Sequence, residues 1–186
     1  MTDDGDRFGN PRIPAETAAS RSHLFHLTAL NPTTYAGGSL QQAHEDNFPI
    51  LRGQEASIQL ITLAPGGIRE PHWHTSAWEI NLVLRGSATW VLIDGNGNNE
   101  SFEAGVEDLV FAPQGSFHYF ENQGTTDLEV LIIQNTSVPE GKDNIGIGQT
   151  LSKIPPEVLS AVFGAPAETF ASFTKIDDAV VILRSS

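Results

Sequence analysis

The sequence predicts an all-β fold, a small β-barrel or jelly roll, with helices confined to the C-terminal end. Three observations carry this. Short apolar runs, several of them alternating with polar residues, follow one another from residue 56 to residue 135. Turn-forming groups such as Pro65-Gly66-Gly67, Asp94-Gly95 and Pro113-Gln114-Gly115 separate them at short intervals. Beyond residue 155 the apolar period changes to that of a helix. Short strands punctuated by turns are the mark of a sandwich or barrel.

The chain has 186 residues, 39% hydrophobic and 18% charged, which suffices for one domain with a real core. A formal net charge of −13 argues against a nucleic-acid partner, because a phosphate backbone attracts clustered Lys and Arg. There is no cysteine, so disulfides are excluded and no thiolate competes for a metal. The start, Met1-Thr2-Asp3-Asp4, is acidic and has no apolar stretch. No apolar run nears the ~18 residues of a membrane span. The expectation is a soluble, cytoplasmic protein without secretory signal or membrane contact.

Residues 1–22 are polar and rich in Gly, Pro, Ala and Ser, and are expected to be a flexible lead-in. A β-barrel is expected over 23–150, then a helical segment and tail over 151–186. Residues 31–38 read as a turn-rich approach, and 47–51 as a short edge strand carrying Pro49. Residues 57–63 alternate and turn at Pro65. Residues 79–84 stop at Gly86, and 87–93 end at Asp94-Gly95-Asn96-Gly97, a hairpin signal. Residues 108–112 stop at Pro113, 118–120 lead to the turn Asn122-Gln123-Gly124, and 128–133 form the last clear strand. Val158, Leu159, Val162 and Phe163 make one helical stripe, opened by Pro156 and closed by Gly164. Residues 166–173 read as a second short helix with Phe170 and Phe173 inward, and 179–183 as a final strand or docking tail. No internal repeat is present.

His72, His74, Glu79 and His118 are the chemically informative residues. His72 and His74 are two apart, so a strand points both to one face. Glu79 is five beyond His74, an odd step, and a break at Thr75-Ser76 is needed to reset the phase. His118 follows the turn Pro113-Gln114-Gly115, which starts a new strand that an antiparallel barrel can bring beside the first. A buried histidine with a hydrogen-bond partner is a common core residue, and a lone His-x-His pair carries little. A carboxylate and a third imidazole after a Pro-x-Gly turn make the set point to a metal. Such ligands suit Mn, Fe, Co, Ni, Cu or Zn rather than Ca or Mg, and leave two positions of a six-coordinate ion open. Trp73, Trp78, Trp90, Phe117, Tyr119 and Phe120 surround these residues in sequence and are expected to wall the pocket.

These residues resemble the cupin superfamily. Its first motif is Gly, five residues, His-x-His, three or four residues, Glu, six residues, Gly, and Gly66 to Gly86 satisfies it. In the second motif Pro113, Gly115, His118 and Asn122 match, while Glu107 stands where the motif begins with glycine. The fold implied is a double-stranded β-helix, the jelly-roll barrel. Within the superfamily, residues 23–165 are most similar to one half of the two-domain oxalate decarboxylases. Residues 32–38, Ile68-Arg69-Glu70-Pro71-His72-Trp73-His74, Gly86-Ser87-Ala88 and the stretch from Pro155 to Gly164 carry that likeness.

The resemblance implies manganese on His72, His74, Glu79 and His118, with iron, nickel or zinc as alternatives. It implies oxalate or a similar small carboxylate as substrate and dioxygen as a co-substrate. Arg69 falls where the decarboxylases have an arginine facing the substrate; the alternative is a surface arginine at a strand end. The decarboxylases also carry a glutamate in a lid after the last core strand. No Ser-Glu-Asn string is present here, and Glu140 or Asp143 could supply the carboxylate; the alternative is a pair of solvated loop charges. Without such a proton donor, oxidation is favoured over formate. Competing readings are another cupin enzyme (an iron dioxygenase, an isomerase or a biosynthetic tailoring enzyme) and a non-catalytic metal- or ligand-binding cupin. A homo-oligomer paired through barrel edges and terminal helices is expected from the family.

Overall fold

The computed structural model describes residues 23–185, so the lead-in expected over 1–22 lies outside the described residues. Along the chain run β1 (Thr33–Tyr35), β2 (Gly38–Ala43), β3 (Ser57–Leu63), β4 (Gly67–His74), β5 (Glu79–Arg85) and β6 (Ala88–Ile93). They are followed by β7 (Asn99–Ala104), β8 (Leu109–Ala112), β9 (Phe117–Glu121), β10 (Leu128–Gln134) and β11 (Asn144–Gly146). Helices α1 (Ile147–Lys153), α2 (Pro156–Phe163) and α3 (Ala167–Ala171) precede the last strand, β12 (Ile182–Arg184). One antiparallel sheet has the order β1-β2-β3-β10-β5-β8 and the other β11-β4-β9-β6-β7, with β12 also paired to β4. Successive strands from β3 to β6 alternate between the sheets, the weave of a jelly roll. The sheets face each other as an unclosed sandwich with three short C-terminal helices. No described helix is long and apolar enough to cross a membrane.

Strand alternation divides the interior into an apolar and a polar half. Across β3, β10 and β5, one register row is Ser57, Gln134 and Glu79, the next Gln59, Ile132 and Asn81, the next Ile61, Val130 and Val83. All nine are buried. The apolar half is completed by Leu40, Leu63, Trp90, Val110, Phe120 and Leu128. Trp90 and Phe120, expected beside the site, instead stack in this core with centroids 4.2 Å apart. Each large apolar side chain buried there stabilises the fold by roughly 1.5–3 kcal/mol.

Several local readings change. Residues 31–38 are not an irregular approach but the β1–β2 hairpin. The edge strand expected at 47–51 is a 3-10 turn at Pro49–Leu51, where a proline's missing N–H costs no ladder bond. Strand β7 is polar and largely exposed, so periodicity gave no sign of it; it is the second arm of the hairpin from β6. The stripe on α2 faces solvent except at Leu159, because α2 leans on α3 through Phe163 and Phe170 rather than on a sheet. Phe170 is buried and Phe173 is not. The tail returns as β12 against β4. Its seat is Gly37, where any Cβ would collide with the carbonyl of Leu183.

Two irregularities aim the side chains. On β4, Arg69 pairs with Phe120 and His72 with His118, so three steps on β4 match two on β9. This bulge turns Arg69 and His72 to the same side despite their odd spacing, and Pro71 within it has no N–H to leave unpaired. Beyond His74 the chain crosses to the other sheet through Thr75 and Ser76. Asp143 clamps that crossing. It accepts from Thr75 Oγ1 at 2.6 Å, Ser76 Oγ at 2.9 Å and Ser76 N at 3.1 Å. Glu107, in the place of the motif glycine, keeps the turn by adopting φ 75°.

Two predictions follow from this geometry. A non-glycine residue in the left-handed region is strained, so Glu107→Gly is expected to stabilise the fold by about 0.5–1 kcal/mol. The check is a raised urea midpoint at unchanged slope; a lowered midpoint would contradict it. Burial pushes the Asp143 carboxyl up, but the Thr75 and Ser76 hydrogen bonds outweigh it and hold the group below its ordinary value. Its stabilisation is therefore present above the unfolded pKa and lost as pH falls through the lower folded one. Asp143→Ala is expected to cost about 1–3 kcal/mol at neutral pH and less below about pH 4. Equal costs in urea unfolding at pH 7 and pH 3 would show that the charge does not hold the turn.

Candidate metal centre

Strand β4 contributes His72 and His74, β9 contributes His118, and β5, from the opposite sheet, contributes Glu79. All four are buried, and their ligand atoms lie within 4.8 Å of one another. An ion bound at about 2.0–2.2 Å keeps its ligand atoms within roughly 4.4 Å, so small side-chain adjustments close the set. Glu79 Oε2 lies 3.1 Å from His74 Nε2, and Glu79 Oε1 lies 3.0 Å from His118 Nε2.

The backbone selects the imidazole tautomers. His72 Nδ1 is 2.7 Å from the Glu70 carbonyl and His118 Nδ1 is 2.9 Å from that of Ser116. A carbonyl only accepts, so Nδ1 carries the proton and Nε2 offers a lone pair to the cluster. Buried His118 Nε2 and His74 Nδ1 have no hydrogen-bond partner. Three nitrogens, the orphaned His118 Nε2 among them, and one carboxylate are a donor set that fits a divalent transition metal. Burial and then the Arg69 charge push His72 well below its ordinary pKa, which keeps it a neutral ligand. Burial pushes Glu79 up, but the imidazoles of His118 and His74 outweigh this and hold it well below its ordinary value. Burial draws His74 down, and its hydrogen bond and charge interaction with Glu79 raise it above its ordinary value.

Arg69 is not a surface residue: it is fully buried on the inner side of β4. Its Nη2 donates to Glu140 Oε1 at 2.5 Å and to Asn144 Oδ1 at 2.8 Å. Glu140 is 1% exposed, so the reading of this residue as a solvated loop charge is corrected. It heads the 3-10 turn Glu140–Lys142, and its backbone N–H donates to Gln42 Oε1. Asp143 is likewise buried, in the clamp described above. Arg69 Nε and Glu140 Oε2 remain buried without partners.

A second layer lies behind Glu79. Asn81 Nδ2 donates to Glu79 Oε1 at 3.0 Å, and Gln134 Nε2 lies 3.3 Å from Glu79 Oε2 and 3.0 Å from His74 Nε2. Gln59 Nε2 donates to Gln134 Oε1 at 3.1 Å. Sequence reasoning passed over Gln134 and Gln59. The available signal was a polar residue ending an inward row of Leu128, Val130 and Ile132. His23, His26 and His44 lie before β3 and take no part in the cluster. Trp73 packs on Phe117, and Trp78 on Phe111.

Comparison with known proteins agrees with this architecture. The Cupin family model matches residues 26–170. The chain is 28% identical over 156 residues to a probable oxalate decarboxylase of Arthroderma benhamiae, covering 83% of this chain and 38% of that protein. It is also 28% identical over 167 residues to germin-like protein subfamily T member 3 of Arabidopsis thaliana, covering 86% and 72%. Solved structures of Bacillus subtilis oxalate decarboxylase, an enzyme with Mn(II) centres, superpose with a TM-score of 0.77 at 22% identity. They cover 87% of this chain and 41% of theirs. The chain thus spans about two fifths of the decarboxylases it matches. With the motif residues gathered between two jelly-roll sheets and the family model covering most of its length, the chain belongs to the cupin family.

Proposed function

We propose that this cupin is a manganese enzyme acting on oxalate or a similar small carboxylate, with His72, His74, Glu79 and His118 as the metal ligands. The observation that carries the reading is the buried Arg69–Glu140 pair beside the ligand cluster, with an unpartnered guanidinium nitrogen and carboxylate oxygen. The oxalate decarboxylases among its relatives support the substrate class.

When bound, the ion supplies open coordination positions for a carboxylate and a centre for electron transfer. The chain's own residues do the rest. Arg69 grips the far carboxylate with its planar fork, and burial strengthens that hold. Because Glu140 occupies Arg69, an incoming carboxylate displaces it, and the turn 140–142 moves aside. Glu140 then stands beside the substrate as the group that holds and delivers a proton. Proton delivery to the carbon that loses carbon dioxide gives formate; without it, oxalate is oxidised to carbon dioxide with dioxygen as acceptor. Closure of the buried pocket excludes water from either path.

A second reading is a metal-binding cupin without catalysis. It is favoured by the same ion pair, which already neutralises Arg69. The discriminating experiment is oxalate turnover by manganese-loaded protein at mildly acidic pH, with formate and hydrogen peroxide measured together. Formate marks decarboxylation, peroxide oxidation, and neither product from loaded protein would sink the oxalate reading. Arg69→Lys is expected to keep its manganese and lose roughly 10–100-fold in kcat/KM, the equivalent of a charge-assisted bidentate contact of about 1.5–3 kcal/mol. Glu140→Gln is expected to shift product from formate towards peroxide. Chelation is expected to lower the melting temperature by roughly 5–10 °C relative to protein held at about 100 times the metal Kd. Equal melting curves would speak against a native metal site.

A further inference from the structure

Gln134 lies within hydrogen-bond reach of two members of the candidate ligand cluster. Its amide nitrogen is 3.0 Å from His74 Nε2 and 3.3 Å from Glu79 Oε2, so it touches two ligand atoms at once. Its orientation is fixed from behind, since Gln59 Nε2 donates to Gln134 Oε1 at 3.1 Å. A carboxylate accepts and cannot face the amide oxygen, so both ends of the side chain agree that Nε2 points at the cluster. Gln134 is 1% exposed and Gln59 fully buried, so bulk water reaches neither.

A side-chain amide has two N–H donors. One serves Glu79 Oε2. The other faces His74 Nε2, the atom that also lies 3.1 Å from Glu79 Oε2. A carboxylate only accepts, so without an ion this nitrogen donates to Glu79 Oε2 and has no lone pair for Gln134. When His74 ligates an ion, the lone pair is committed to the metal, so in either state His74 gives the second N–H of Gln134 no acceptor. A buried donor left without an acceptor is costly, and an oxygen ligand carried by an ion held on these residues would supply one.

We propose that Gln134 is a hydrogen-bond donor to the exogenous oxygen ligand of the metal, a small carboxylate or water, with Gln59 holding the donor in that orientation. This rests on the assignment of His74 as a metal ligand. It makes Gln134 a contact to whatever occupies the ion, complementary to Arg69 at the carboxylate's far end. The floor of the site then discriminates for oxygen acceptors next to the ion.

The test uses the full chain loaded with cobalt(II), whose visible spectrum reports ligand exchange, and titrates it with formate. Wild type is expected to bind one cobalt and to give a saturable formate spectrum. Gln134→Leu is expected to keep cobalt stoichiometry, with a lowered unfolding temperature because Glu79 and Gln59 each lose a partner, while formate Kd weakens about tenfold, the effect of one hydrogen bond. Gln59→Leu, which lets the amide turn, is expected to weaken formate in the same direction by a smaller factor. A formate Kd equal to wild type in fully loaded Gln134→Leu would overturn the proposal. If that variant does not fold, Gln134→Met keeps length and shape without the donor, and the same comparison decides. No cobalt bound by wild type would overturn the metal centre itself and with it the premise.

Discussion

The constraint on which the rest depends is the burial of Glu79 between two sheets. An ionised carboxylate in the interior of a sandwich is unstable unless charge and hydrogen bonds surround it. Here two imidazoles meet its oxygens, and Asn81 and Gln134 donate to them from its own sheet. The imidazoles come from the facing sheet, so the two sheets are joined through this carboxylate at the polar end of the interior. A divalent ion held by these residues would supply further positive charge.

A similar balance holds at Arg69. A buried guanidinium requires an anion, and Glu140 provides it. Both buried charge sets draw members from β4, Arg69 in one and His72 and His74 in the other, and both touch elements that follow the last long strand. Residues 139–146 bring Glu140 to Arg69, Asp143 to the Thr75–Ser76 crossing, and β11 into pairing with His72 and His74. The same segment therefore closes the site and holds its geometry. Asp143 and β11, directly after the turn 140–142, are anchored to the end of β4 and the crossing that follows it.

Much of this was legible in the residues. Short apolar runs between turns marked β3, β5, β6 and β10, although the inward face of β5 carries Glu79 and Asn81 and that of β3 carries Ser57 and Gln59. The clustering of His72, His74, Glu79 and His118 was legible because His-x-His with a carboxylate and a later Pro-x-Gly-x-x-His serves no common structural purpose. Strand β7 was not, because a polar strand on the outside has no apolar face to show. The burial of Glu140 was hidden because it depends on a partner 71 residues away, reached only through the bulge at Pro71. The exposed side of α2 shows the limit of a helical stripe. Periodicity finds an apolar face but does not say what, if anything, covers it.

The most direct test of the account is the metal content and ligand shell of the protein loaded with manganese, measured by elemental analysis and X-ray absorption. The account predicts one ion per chain with imidazole nitrogens in its shell, and loss of that ion in Glu79→Ala and in His118→Ala. Stoichiometric manganese retained in both variants, or an ion without imidazole ligands, would contradict it.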